Sequence, residues 1–480
     1  MSLKYKKIRP TRLVFFVAVM VQAPMTFFSM SEGDSFRFSQ NVMQIREFKE
    51  NGINLNGNLP LFGENSHVLF EFPLYQIIAS LLSEFFRLDP VVGARVTALV
   101  FFQVSAILLV ILNRAFFEKK NELILLVLYQ FLPFGLFYGH APLGEFLPVS
   151  LMYLAALMSN GESKRRKALN LIFSLILVSF AFLTKVTTAV ALTPLLLLSM
   201  VNPRPGGRKF MAFKAGASVA SGLIATLAWN EHADKMKELN SYTEALTSTN
   251  PRMIAWNFGT FSQRLDFENW YHILIINMGP IVLNGFILIV LASWVVSYSR
   301  NVKLGILLLC IPSSILIFTN LYIAHTYYLC AIYGVLILIL NPIIGEATNK
   351  FDLGRGIPLL VTAILIGAYS STNGSNSMQT ILNHQGPPKE AKQIRDVTRP
   401  GEWVLYLGCD WSPYIPYYTE RKAIMVPNWI ESPRKSDFQN ASTVYICDTN
   451  PTEKQRNLSL LDKSWKKIDD NVFVKVNKAN

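Results

Sequence analysis

Long apolar runs constrain this chain more than any other feature. Eleven recur, near 12–30, 91–112, 122–138, 143–159, 169–184, 186–201, 211–229, 272–298, 304–320, 326–344 and 356–370. About 20 apolar residues in a helix cross the hydrocarbon core of a bilayer. Within lipid, only helices and closed barrels satisfy their own backbone polar groups. The fold expected is therefore mainly α, a polytopic membrane protein with about eleven transmembrane helices. Charge content agrees, since 16% of the 480 residues are charged, against about 25% in soluble domains.

Lysine and arginine in the connections set the orientation. They cluster before the first run (Lys4, Lys6, Lys7, Arg9, Arg12), after the second (Arg114, Lys119, Lys120) and after the fourth (Lys164 to Lys167). They recur after the sixth (Arg204, Arg208, Lys209, Lys214), and Arg300, Lys303, Lys350 and Arg355 mark the last two clusters. Every second connection is basic, so the N-terminus is expected in the cytoplasm and the C-terminus outside. The net charge of +13 then reflects sidedness rather than nucleic-acid binding. The first run also has features of a cleaved signal peptide, with Ser29 and Ser31 around Met30, but its length favours a retained span.

The stretch 70–86 would invert all later loops if it crossed the membrane. Ile77, Ile78, Leu81, Leu82 and Phe85 share one helical face, so it is expected to lie in the interface. Residues 35–50 suggest a second such helix, with Phe38, Val42, Ile45 and Phe48 at helical spacing. The chain then divides into a transmembrane part, 1–370, whose outer loop is 31–90, and an extracytoplasmic part, 371–480. In the latter, strand-like runs at 402–408, 443–447 and 472–476 alternate with helix-compatible segments at 389–398 and 452–462. A small α/β domain is expected. Four cysteines are too few for a disulfide scaffold, and no CxxC or HExxH occurs. Cys409 and Cys447 each end a strand-like run; a disulfide and two half-buried thiols are both open readings.

Ionisable groups beside membrane helices are costly, which makes them functional candidates. On the expected topology the outer edge carries Asp34, Glu71, His140, Glu145, Lys185, Arg264, Asp266, His272 and His325. Arg95, Tyr327 and Tyr328 lie close to the same level. Each has a structural alternative: Asp34 or Glu71 as a helix cap, Lys185 as a snorkelling side chain, Arg264 as a loop ion pair with Asp266, Arg95 as an interfacial anchor, the tyrosines as an aromatic belt. Both signs at one depth could line a cavity for a charged or hydroxyl-bearing substrate.

The order of these features resembles the GT-C membrane glycosyltransferases, in the branch of protein O-mannosyltransferases and bacterial aminoarabinose transferases. SEGDSFRF places Asp34 where that family has an acid after its first helix, with Ser35 replacing a second acid. FEFPLYQIIASLL and GARVTALVF match at Pro73, Tyr75 and Arg95, while Phe72 stands where the aminoarabinose enzymes carry a lysine. APLGEFLPVSLMYLAAL offers Glu145 for the family's commoner aspartate, FLTKVTTAVAL offers Lys185, and NLYIAHTYYLCAIY offers His325, Tyr327 and Tyr328. VLYLGCDWSPYIPYYTERKAIMVP is similar to the outer domain of some bacterial members.

The resemblance implies transfer of a sugar from a polyprenyl-phosphate donor to a hydroxyl acceptor (glycan, lipid or protein) on the outer membrane face, with inversion. Asp34 is the expected general base and Glu145 an orienting acid. Lys185, Arg264, His325, Tyr327 and Tyr328 are expected at the donor phosphate, with Glu71, Arg95 and His140 as further cavity residues. A divalent metal would suit Asp34, Glu71 or Glu145, but no ligand spacing demands one, and no cofactor is expected. A bacterial inner membrane is the expected location. Competing readings are a lipid or sugar transporter or flippase, which would place charges at mid-membrane and show an inverted repeat, and an oligosaccharide ligase or polymerase, which would use a large loop between late helices.

Overall fold

The computed structural model describes residues 10–30, 35–116, 122–158, 167–201, 207–277, 302–350, 387–427, 429–430, 433–447 and 450–476. Of the expected runs, most of 272–298 and all of 356–370 lie outside these residues. So do Asp34 and the boundary at 370/371. The helices are α1 (Pro10–Gln22), α2 (Ser35–Asn51), α3 (Leu74–Phe85), α4 (Pro90–Phe116), α5 (Glu122–Phe131), α6 (Pro133–Tyr138), α7 (Phe146–Met158), α8 (Lys167–Thr184), α9 (Val186–Leu192), α10 (Leu198–Val201) and α11 (Arg208–Lys237). There follow α12 (Pro251–Phe258), α13 (Phe261–Leu265), α14 (Phe267–Tyr271), α15 (Val302–Ile315), α16 (Thr319–Ala324) and α17 (Cys330–Lys350).

Among the described residues, three helical segments are long and apolar enough to cross a bilayer unaided: Pro10–Phe27, Pro90–Phe116 and Arg208–Lys237. The expected run 122–138 breaks into two shorter helices. Pro133 lacks an N–H and bars the preceding residue from helical backbone. Leu132 accordingly takes an extended ψ of 146°, separating α5 from α6. Lys185, with φ −160° and ψ 93°, separates α8 from α9 at the connection expected between the runs 169–184 and 186–201.

Outward faces are apolar. Leu13, Phe16 and Met20 on α1, Leu169, Ile172 and Ile176 on α8, and Ile224 and Leu227 on α11 are exposed at helical spacing. Such stripes are a liability in water and suit lipid. Inward faces pack through small groups: Ser174 and Ser179 of α8 meet Ser218 and Ser221 of α11, each pair at 3.0 Å.

The two amphipathic helices differ. Helix α3 turns Ala79, Ser80 and Ser83 inward and leaves Leu81 and Phe85 exposed. Its 12 residues span only about 18 Å, as an interfacial helix would. Gly93 of α4 lets it approach, because a Cβ there would sit 1.8 Å from Ser83 Oγ. Helix α2 instead buries Phe38, Val42, Ile45 and Phe48, packing on α3 and α4. The apolar face expected from spacing is there, but it meets protein rather than lipid.

The C-terminal region forms a five-stranded sheet in the order β2-β1-β3-β5-β4. Its strands are β1 (Trp403–Leu407), β2 (Lys422–Val426), β3 (Ala441–Ile446), β4 (Trp465–Lys467) and β5 (Val472–Lys475), and its longer helices are α18 (Lys389–Val397) and α21 (Pro451–Ser459), with α19 (Tyr414–Thr419) and α20 (Lys435–Asn440) between them. β1 pairs in parallel with β2 and β3, while β5 runs antiparallel to β3 and β4. Neighbouring β1 and β3 bring Cys409 and Cys447 to a Cα separation of 5.1 Å, and the two are disulfide-bonded. The sheet docks on the segment 60–63. Ala423 N–H and Met425 N–H donate to Pro60 O and Leu61 O, and Ala423 O accepts from Gly63 N–H.

Candidate active site

Four charged side chains from four separate elements meet beneath this docked domain. Arg37 lies in the first turn of α2, and Glu71 at a bend before α3. Glu145 immediately precedes α7, and Lys185 occupies the break between α8 and α9. Each position has a local cause. Glu71 is flanked by two anchored peptides: Trp229 Nε1–H donates to Phe70 O at 3.0 Å, and Phe72 N–H donates to Leu183 O at 2.9 Å. The second bond also fixes the chain two residues before Lys185. Gly144 lies against Tyr75, where a Cβ would come to 3.0 Å from the Tyr75 Cβ, and this close approach carries Glu145 inward.

The charges alternate. Arg37 donates to both oxygens of Glu71 at 2.5 Å and to Gln40 Oε1 at 2.6 Å. Lys185 Nζ lies 3.1 Å from a carboxylate oxygen of Glu71 and 3.1 Å from one of Glu145. Thr188 donates to the other Glu145 oxygen at 3.4 Å. Lys185 also lies 5.0 Å from the Tyr328 ring centroid and 5.5 Å from that of Tyr327, where the ring faces attract a cation. His325 stacks on Tyr327 at 5.0 Å. Trp411 of the C-terminal domain packs against Phe36 and Phe70 at 4.5 and 5.7 Å, beside the cluster.

Burial alone would raise the Glu71 carboxyl, but Arg37 and then Lys185 hold it down to about 2. Burial works against the Lys185 ammonium too, and Glu145 and Glu71 outweigh it, so its proton is held more tightly than usual. Burial pushes the His325 imidazole down to about 4, with Arg37 and Lys185 adding to the effect. The cluster therefore carries two fixed cations, two acids and a neutral imidazole near neutral pH.

Of the residues expected at the site, Glu71, Glu145, Lys185, His325, Tyr327 and Tyr328 come together. Arg95 and His140 lie apart in a buried tie, in which Arg95 donates to His140 O at 3.3 Å and to Ser29 O at 2.9 Å. Arg264 is spent on carbonyls, those of Leu316 and Phe258 at 2.8 Å each. Asp266 caps α14 through Glu268 N–H. Among the described residues no group of three His, Cys, Asp or Glu side chains is disposed to hold a metal. Sequence reasoning passed over Arg37, three residues after Asp34 in SEGDSFRF. It also passed over the carboxamides Gln40, Asn41, Gln44 and Gln76. No charge pattern marks these; the face that Gln40, Asn41 and Gln44 share with Arg37 on α2 was the one available signal, and Gln76 lies on α3.

No family model matches the chain, and no curated protein matches it either. Solved structures do share its fold. ArnT from Cupriavidus metallidurans bound to undecaprenyl phosphate superposes with a TM-score of 0.65 at 13% identity, covering 97% of this chain and 98% of that one. Its apo state gives 0.62 at 11% identity, covering 96% and 97%.

Proposed function

We propose that this chain, with its ArnT-like fold, is a membrane glycosyltransferase. It moves a sugar from a polyprenyl-phosphate donor to a hydroxyl acceptor on the outer face of a bacterial inner membrane. The proposed topology has about eleven spans, an N-terminus in the cytoplasm and the α/β domain outside. The observation that carries this reading is the Arg37–Glu71–Lys185–Glu145 cluster beneath the outer domain, in a fold whose solved example holds undecaprenyl phosphate.

Fixed cations in a partly dry site stabilise a leaving phosphate better than water does. Lys185 has three N–H donors; two face Glu71 and Glu145, and the third remains for a phosphate oxygen. Arg37 supplies a second, planar cation. In the reaction the acceptor oxygen attacks the anomeric carbon, and the bond from that carbon to the phosphate oxygen breaks. The phosphate keeps the electron pair, and the acceptor's proton passes to Asp34. A single displacement of this kind inverts the anomeric centre. Glu145, held by Lys185 and Thr188, orients hydroxyls.

The test is transfer of radiolabelled sugar from a polyprenyl-phosphate donor in proteoliposomes. The wild type is expected to transfer, and Asp34→Asn to lose transfer at least 100-fold with unchanged melting temperature. Normal turnover by Asp34→Asn would remove the base, and absence of transfer with every donor tried would remove the function.

A further inference from the structure

Beside the charge cluster, α2, the stretch 68–73 and α3 line a recess that opens to solvent. We propose that this recess seats an uncharged, hydroxyl-rich sugar and disfavours one bearing an ammonium group. The inference deepens the donor reading above and rests on it.

Carboxamides dominate the polar lining: Gln40, Asn41 and Gln44 from α2 and Gln76 from α3. A carboxamide both donates and accepts, as a hydroxyl does, whereas an ammonium only donates. Three of the four are tied: Gln76 Nε2 donates to Asn41 Oδ1 at 2.9 Å, Asn41 Nδ2 donates to Pro142 O at 3.0 Å, and Gln40 Oε1 accepts from Arg37 at 2.6 Å. One member is left unsatisfied. Gln44 is 6% exposed, lines the recess, and its Nε2 has no hydrogen-bond partner. A buried donor without an acceptor is costly, and a ligand hydroxyl would relieve it.

Charge points the same way. The ionisable groups in the lining are Arg37 and Glu71. Glu71 already accepts from Arg37 and from Lys185. An ammonium entering the recess would meet the Arg37 cation, with Lys185 behind Glu71, and no uncommitted carboxylate among the described lining residues. A neutral sugar meets no such repulsion, and Val68, Leu69, Phe70 and Pro73 give the recess an apolar side. Arg37 belongs both to this recess and to the cluster proposed to hold the donor phosphate, so one sugar–phosphate unit could engage both.

The experiment measures binding to the full chain in nanodiscs by displacement of a fluorescent polyprenyl phosphate. Three competitors are compared: bare polyprenyl monophosphate, polyprenyl-phosphate hexose and polyprenyl-phosphate aminopentose. The hexose lipid is expected to bind at least tenfold tighter than the aminopentose lipid. Gln44→Ala and, separately, the less buried Gln76→Ala are expected to weaken the hexose lipid about fivefold, the size of one hydrogen bond, with bare lipid unchanged. Equal or tighter binding of the aminopentose lipid would overturn the inference and leave the donor reading standing. So would a hexose lipid no tighter than bare lipid, or folded variants that weaken bare and hexose lipid alike. Failure of bare polyprenyl monophosphate to bind would overturn the donor reading and this inference with it.

Discussion

Lys185 joins two carboxylates, one of them almost fully buried: the Glu145 side chain is 2% exposed and that of Lys185 8%. Removing one partner of such a pair strands a charge in a poor dielectric, at a cost of about 3–5 kcal/mol. Lys185→Met is therefore expected to destabilise the protein by about that amount, and adding Glu145→Gln to recover part of the loss; unfolding in detergent measures both. The titrating groups define two pH windows. His325 is neutral in the fold at an apparent value of about 4, against 6.5 unperturbed. Its contribution is full above about 6.5 and is lost as pH falls towards 4, because the unfolded chain binds the proton first. Glu71, at about 2 against 4.5, contributes fully above about 4.5 and loses that contribution as pH falls towards 2. Melting temperatures from pH 7.5 to 2.5 should show His325→Phe flattening the upper window and Glu71→Gln the lower one. Residue type and order picked out Glu71, Glu145, Lys185 and His325, while Arg37 and the carboxamides stayed hidden because nothing local distinguishes them.

The helices carry their own signatures, but not always their destinations. The periodicity of Phe38, Val42, Ile45 and Phe48 specifies an apolar face on α2 equally well whether lipid or protein covers it. Only α3 and α4 decide that it is protein. On α3 the same kind of pattern does face outward, since Ser83 and Gly93 let the two backbones close on the other side. Gly144→Ala is expected to cost about 1–3 kcal/mol, because the added methyl overpacks against Tyr75. It should also lower transfer by displacing Glu145; equal activity and stability to wild type would reject the role given to that contact. In the outer domain, β1, β3 and β5 match the strand-like runs, but β2 does not stand out. KAIMV is short and opens with lysine and alanine, and its pairing with β1 and with 60–63 is what makes it a strand. The Cys409–Cys447 bond closes a loop with a sequence separation of 38. Cys409→Ala with Cys447→Ala is expected to lower stability of the outer domain by roughly 4 kcal/mol in the loop-entropy account, measured against wild type without reductant.

For the whole molecule the decisive quantity is sidedness. Cys310 and Cys330 are buried and Cys409 is bonded to Cys447, so single added cysteines report cleanly. On the proposed topology an impermeant maleimide should label Gln455→Cys in intact cells. It should label Lys209→Cys only after permeabilisation. The reverse pattern would invert the topology and move the cluster to the cytoplasmic side. The C-terminal domain meets the helical part through Trp411 on Phe36 and Phe70, and through Arg46 Nη1, which donates to Tyr417 O at 2.8 Å.

The sequence by itself determined the quantities that are local and periodic: apolar length, amphipathic faces, alternation of basic loops, and the alternation of strand and helix after the last run. Each is written within one segment and needs no partner to be read. Which segments meet was decided only by the tertiary structure. Glu71 and Lys185 lie 114 positions apart, and hydropathy is the same for every lateral order of helices. That order follows from close packing of small residues and from buried hydrogen bonds between helices, and these acquire their energies only once the surfaces are in contact.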